Sequence, residues 1–277
     1  MSQDSESTSS LYFCIGRTLM IGSQIPGELH HHGAIEIIIS LERPFSVKIE
    51  NEAWVETKAV IINSNVPHQL KDLQGHNITL TIVPERRWGK YLQLHVLKGA
   101  KINYLDDLDF SSLEKNVKDI LKSDYDCPTT FQFGEHLIDL ITGTRSFKDR
   151  IDDRILNVLN TIQQGLSEHI SADKLAQSIF LSEGRFLHLF KEQVGLPLRQ
   201  YILYQRIMAA TREFLRGKSL TEAAHEAGFA DSAHFTRTFV EMHGLKPSEV
   251  AKLKENYRVR CCESLCDACN PQIRKDK

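Results

Sequence analysis

The chain has 277 residues, 41% of them hydrophobic, and a formal net charge of −2, which is enough to bury ordinary cores and suits two domains better than one. It contains no apolar run of the roughly 18 to 20 residues that span a bilayer, which excludes a helical membrane protein. A balance so close to neutral also excludes a nonspecific polyanion binder, whose surface would carry a strong basic excess.

The opening MSQDSESTSS is polar and acidic, unlike a secretory signal, so a cytoplasmic chain is expected, with its cysteines as reduced thiols. The segments GAIEIIIS, PFSVKIEN, KAVIINS and ITLTIVP are short, rich in Ile and Val, and separated by Gly, Pro and Asn. They predict an antiparallel sheet closing into a small barrel over residues 11–98. Within it His30, His31 and His32 precede Glu36, and His68 follows Pro67. Imidazole and carboxylate at a loop-to-strand junction could hold zinc, iron or manganese. The default is a metal-free effector pocket, with His30, His32, Glu36 and His68 as its candidate residues, against an empty structural barrel.

Beyond Lys98 the texture becomes helical. SLEKNVKDILKS and FQFGEHLIDLITG place apolar residues at helical spacing and predict a paired helical region over residues 99–146. TRSFKDRIDD, from Thr144 to Asp153, is the expected linker to a third unit at residues 147–257.

That unit contains a duplication. Phe186, Phe190 and Gly195 recur as Phe235, Phe239 and Gly244 at a constant offset, and Ala176 recurs as Ala224 one residue short of it. Each copy predicts a helix-turn-helix. Ser171 and Ser219 stand at N-cap positions before short alanine-bearing helices, and Ser182 and Asp231 before the second helices. Gly228 supplies the tight turn of the second copy, with Phe229 plugging the angle between its helices. Phe180 and Leu181 stand there in the first copy, which predicts a less regular turn. At about 100° per residue, Phe186, Leu189, Phe190 and Gln193 share one face, as do Phe235, Thr238, Phe239 and Met242. The outward faces and N-terminal residues are then Glu183, Gly184, Arg185, Leu187, His188 and Lys191 in one copy, and Ser232, Ala233, His234, Thr236 and Arg237 in the other. In a helix-turn-helix this face enters the major groove. Arg237 can bond guanine bidentately, and the Thr236 methyl can touch thymine.

The chain closes with Cys261, Cys262, Cys266 and Cys269 in a tail over residues 258–277. Clustered thiolates could bind a soft metal or form a reversible disulfide, but four in so short a span are cramped for tetrahedral coordination, and a solvated, poorly ordered terminus is expected.

Residues 155 to 254 resemble the DNA-binding domain of the AraC/XylS family of bacterial transcription regulators, most specifically in Ala224, Gly228, Phe229, Asp231, Ser232, His234, Phe235, Arg237, Phe239, Gly244 and Pro247. The resemblance implies two helical subdomains joined by a long helix, here Arg199 to Leu215, with both reading helices on one side of the duplex. It also implies an α+β chain in which a cupin-like sensor barrel and a helical dimerisation region precede the all-α DNA-binding domain with its two helix-turn-helix units. Double-stranded promoter DNA, a second copy of the chain and RNA polymerase are the implied partners, and activation the implied role. The H-x-H-x3-E pattern of His30, His32 and Glu36 is similar to the metal-binding motif of cupins, with His68 near their later histidine. The chain carries no nucleophile motif, Gly-rich phosphate loop or paired acid and base, so neither an enzyme nor a cofactor is expected. A cupin-type metal-dependent enzyme, or a metal or redox sensor with a DNA-binding domain, is the alternative.

Overall fold

The computed structural model describes residues 9–14, 16–22, 29–84, 86–122, 126–143, 152–194, 196–243, 246–253 and 257–262. Eight strands come first: β1 (Ser9–Cys14), β2 (Arg17–Gly22), β3 (Ile35–Ser40), β4 (Phe45–Ile49), β5 (Val55–Thr57), β6 (Ala59–Ile62), β7 (His68–Lys71) and β8 (Asn77–Ile82). Helix α1 (Arg87–Tyr91) widens into a π-helix at Leu92–Leu97, and β9 (Ile102–Tyr104) follows. Helices α2 (Leu113–Lys122) and α3 (Cys127–Thr142) complete the first half. The second half holds α4 (Asp153–Gln164), α5 (Ala172–Ser178), α6 (Glu183–Val194), α7 (Leu198–Leu215), α8 (Leu220–Glu226), α9 (Ser232–His243), α10 (Pro247–Leu253) and β10 (Tyr257–Cys261).

The α+β class agrees with expectation, but the strands form two sheets rather than one closed barrel. The larger runs β10-β1-β2-β8-β3-β6-β9, and the smaller runs β5-β4-β7. Strand β3 explains how they stack. Its residues are buried on both faces, and alternation sends Ile35, Ile37 and Ile39 to the cluster shared with α2 and α3, and Ile38 to the cluster shared with Phe45, Val47 and Ile49 of the smaller sheet. Each such fully buried isoleucine contributes roughly 1.5–3 kcal/mol. Glu36 lies on the same side of β3 as Ile38, so a carboxylate enters the space between the sheets.

Helices α2 and α3 cover the opposite face through Leu113, Val117, Phe133 and Leu137. Arg17 anchors α3 to the larger sheet, pairing with Glu135 at 2.8 Å and lying over the Phe131 ring.

The C-terminal cysteines depart from expectation. Instead of a solvated tail, the chain returns as β10, which pairs in parallel with β1 from Ser9↔Tyr257 to Phe13↔Cys261. Cys262 is buried, and forms a disulfide with Cys127 at the start of α3. The expectation of reduced thiols fails at these two positions because the fold brings residues 135 apart in sequence to a Cα separation of 5.7 Å, within bonding range. Cys262 is therefore not available as a thiolate ligand beside Cys261. Cys266 and Cys269 lie outside the described residues, as does most of the expected Thr144–Asp153 linker.

Strand β1 also joins the two halves. Leu11 and Phe13 pack in one cluster with Ile207 and Met208 of α7, Phe229, Phe235 and Phe239. Among the described residues no helix is long and apolar enough to cross a membrane.

Candidate nucleic-acid interface and the histidine cluster

The two helix-turn-helix units are built alike. Ser171 caps α5, and Ser219 forms a reciprocal capping box with Glu222 on α8. The connecting turns make matching hydrogen bonds: Phe180 N–H to Gln177 and Leu181 N–H to Ala176 in one, Gly228 N–H to His225 and Phe229 N–H to Ala224 in the other. Gly228 has φ +83°, and a Cβ there would lie 2.9 Å from the Leu166 carbonyl, so glycine is required twice over. Phe180 adopts φ +58° at the corresponding place and is 96% exposed. The first turn is therefore as regular as the second, but a phenylalanine is held in a left-handed conformation that costs about 1 kcal/mol or more.

The second helix of each unit presents the faces that periodicity predicts. Phe186, Phe190, Phe235 and Phe239 are wholly buried, and Thr238 nearly so, while Leu189, Gln193 and Met242 are half-buried. Glu183, Gly184, Arg185, Leu187, His188 and Lys191 are all exposed on α6. On α9, Ala233, His234 and Arg237 are exposed, and Ser232 and Thr236 half-buried. The Thr236 hydroxyl donates to the Ser232 carbonyl at 2.8 Å, which leaves its methyl as the group it can offer. Asp231 caps α9, its Oδ1 accepting from His234 N–H at 2.6 Å. Helix α7 begins one residue before the predicted Arg199 and carries the link between the units.

Sequence reasoning missed that the N-terminal half clasps both outward-facing helices by their C-terminal ends. Arg86, whose pKa is pushed down to about 10 by burial, donates to the Val194 carbonyl at 2.6 Å, the last residue of α6. Gly33 N–H donates to the Glu241 carbonyl at 3.1 Å in the last turn of α9. Thr18 Oγ1 lies 3.1 Å from Nδ1 of His243, whose ring meets Phe13 edge-on and lies tilted against Phe239. Burial, and secondarily the charge of His32, pushes the His243 pKa down to about 3, so it sits neutral against the sheet. These clasps depend on pairings between distant segments and leave no periodic signature in sequence.

The four residues singled out in the N-terminal half converge. His30 and His68 form an isolated bridge whose N–H groups each donate to the other's carbonyl, at 3.0 and 2.9 Å. Glu36 Oε2 lies 2.9 Å from His68 Nε2 and 3.5 Å from His32 Nε2. One ligand-type atom from each of His30, His32, Glu36 and His68 lies within 4.8 Å of all the others. Burial raises the Glu36 pKa, but its contacts with His32 and His68 and their charges outweigh this and hold it well below the usual carboxylate range. Burial lowers the His68 pKa, and the Glu36 contact and charge more than offset this, leaving it raised. His31, the middle of the triplet, is exposed and points elsewhere.

Residues 175–252 match a family described as a helix-turn-helix domain. The chain is similar to a probable transcriptional regulator, LumQ, of Photobacterium leiognathi, with 26% identity over 233 residues that cover 79% of this chain and 90% of that one. It is also similar to the arabinose operon regulatory protein of Salmonella typhimurium, with 29% identity over 101 residues, 36% of each chain. The solved structure of ToxT from Vibrio cholerae O395 superposes with a TM-score of 0.46 at 14% identity, covering 86% of this chain and 96% of that one. The paired helix-turn-helix units, the matched domain and these relatives support an AraC-type transcription regulator.

Proposed function

We propose that the protein reads two successive major grooves of promoter DNA, one with α6 and one with α9, and that its N-terminal half controls this reading in response to a ligand. The observation that carries the reading is that both outward faces are open to solvent while both helices are held at their far ends by the same N-terminal half. Among the described residues, Arg185, Lys191 and Arg237 are not held in ion pairs, so their cations are available to phosphates or bases. A sensor that grips Val194 and Glu241 sets the spacing of two rigid units, and a ligand that shifts either grip changes their fit to DNA. In this reading the protein acts in the cytoplasm, as a homodimer and an activator in contact with RNA polymerase; two similar proteins, a lactose operon regulator of Staphylococcus xylosus and RhaS of Escherichia coli, bear activator in their names. His30, His32, Glu36 and His68 are the ligand-responsive residues.

Footprinting on a sequence selected from random DNA tests this. Two units on one chain require contacts about one helical turn, or roughly 34 Å, apart, so each chain should protect about two turns. Protection of a single short half-site per chain would remove α6 from the reading surface.

A further inference from the structure

We propose that His30, His32, Glu36 and His68 bind one divalent first-row transition metal ion, and that occupancy of this site acts on the second reading helix through the loop that carries His32. The binding half stands on the cluster alone, and the effect on DNA rests on the function proposed above.

The geometry of His68 carries the argument furthest. Its Nδ1 lies 2.8 Å from the Val66 carbonyl, an acceptor only, so Nδ1 must hold a proton and donate it there. This fixes the ring with Nε2 turned to the Glu36 carboxylate at 2.9 Å. A ring nitrogen and a carboxylate oxygen thus face one another at close range, an arrangement that a cation shared between them, a metal ion as well as a proton, satisfies. Both atoms are buried without a well-aligned hydrogen bond. Burying such groups unsatisfied is costly, whereas coordination satisfies both at once. A ligating histidine whose other nitrogen donates to a backbone carbonyl is also the arrangement that orients imidazole toward a metal.

Spacing and donor type narrow the ligand. Ligands bonded at about 2.0–2.2 Å to one ion stand some 3–4 Å apart, close to the separations already present before any adjustment of the side chains. A set of atoms all within 4.8 Å of one another encloses an ion and has no room between its members for an organic molecule. Three imidazoles and one carboxylate suit zinc, iron, nickel or copper; calcium and magnesium prefer oxygen ligands.

The site adjoins the DNA-reading machinery directly. His32 is followed by Gly33, which donates to Glu241 in the last turn of α9. Positive charge placed there would also interact favourably with the negative end of the helix. Moving His32 onto an ion therefore moves, or locks, the grip on α9.

The test uses the full chain, stripped with chelator and titrated with Zn2+ by calorimetry and with Co2+ by visible absorption. One ion per chain is expected, with affinity falling at least about tenfold in Glu36→Gln and His68→Asn. The double variant Cys266→Ser/Cys269→Ser should bind as the wild type does. Circular dichroism reports whether the variants fold. If the two buried substitutions unfold the chain, the less buried His30→Asn should show the same loss. Failure to bind one ion per chain, or binding lost with the cysteines and kept in the histidine variants, overturns the site. Zn2+ should change wild-type affinity for the selected DNA about fivefold or more, with no change in His68→Asn. Equal affinity with and without bound metal overturns the coupling. A protein that binds the ion and no DNA overturns the regulator function and leaves the site standing.

Discussion

Arg86 reaches across from the N-terminal half to the carbonyl of Val194, so the last residue of α6 accepts a hydrogen bond from a guanidinium of the other half. With Gly33 on Glu241, this makes the N-terminal half a common support for α6 and α9. Arg86→Met would remove one support only, leaving the Val194 carbonyl without this donor. Stability should fall by roughly 1.5–3 kcal/mol, and chemical denaturation of the variant measures it. DNA affinity should fall further than Arg86's distance from the reading surface would suggest.

Arg237→Ala should weaken binding to the selected DNA by roughly 1–3 kcal/mol, as expected for a lost bidentate base contact. His188→Ala should cost less, since one imidazole makes one contact. Titrations by fluorescence anisotropy at matched salt check both, and equal affinities for wild type and Arg237→Ala would remove this residue from base recognition.

Phe180→Gly should stabilise the protein by about 1 kcal/mol. The side chain is almost wholly exposed, so little packing is lost, while the left-handed backbone is relieved. Part of the gain is returned through the greater freedom of glycine in the unfolded chain. A thermal melt decides the sign, and a lower Tm in the variant would show that Phe180 is not strained.

Cys127→Ser should lower stability by about 2–4 kcal/mol, because the disulfide closes a loop of 135 residues. Reductant should produce a similar loss in the wild type and none in the variant.

The Glu213 carboxyl is pushed down to about 2, first by Lys218, with Arg212 and Arg216 adding to it. Its folded pKa lies below the unfolded value of about 4.3, so its stabilisation is present above that value and is lost as pH falls toward 2. The network is near the surface, and screening limits its worth to about 1 kcal/mol. Glu213→Gln should therefore be less stable than wild type at pH 7, with the gap closing between about pH 4.3 and 2 in denaturation curves.

The helical half was legible because its signals are local. A phenylalanine pair four apart fixes the buried face of a helix, and the duplicated Phe186/Phe190 and Phe235/Phe239 fix two of them. Asp231 and Ser219 likewise announce their caps. The sheet half was legible as strand but not as topology. GAIEIIIS is apolar at nearly every position since β3 is covered on both sides, so nothing in the segment tells which side Glu36 faces. The meeting of His30 with His68 requires the backbone bridge between them. β10 was missed because Tyr257–Cys261 is short, and among the described residues its sheet partner is the first strand of the chain. Cys127, alone in its neighbourhood, could not announce a partner so distant.

The pairing of β1 with β10 also orders events during synthesis. Ser9 leaves the ribosome early and waits for Tyr257, and Leu11 and Phe13 wait with it for Phe235 and Phe239. Until then β1 is itself the edge of the nascent sheet, of the kind that invites pairing with another chain. A premature stop just before β10 would leave both helix-turn-helix units written in full, yet strand β1 paired on one side only, with β2, and Cys127 without Cys262. Such a product should be found in the insoluble fraction of the cell, although every residue predicted to touch DNA is present.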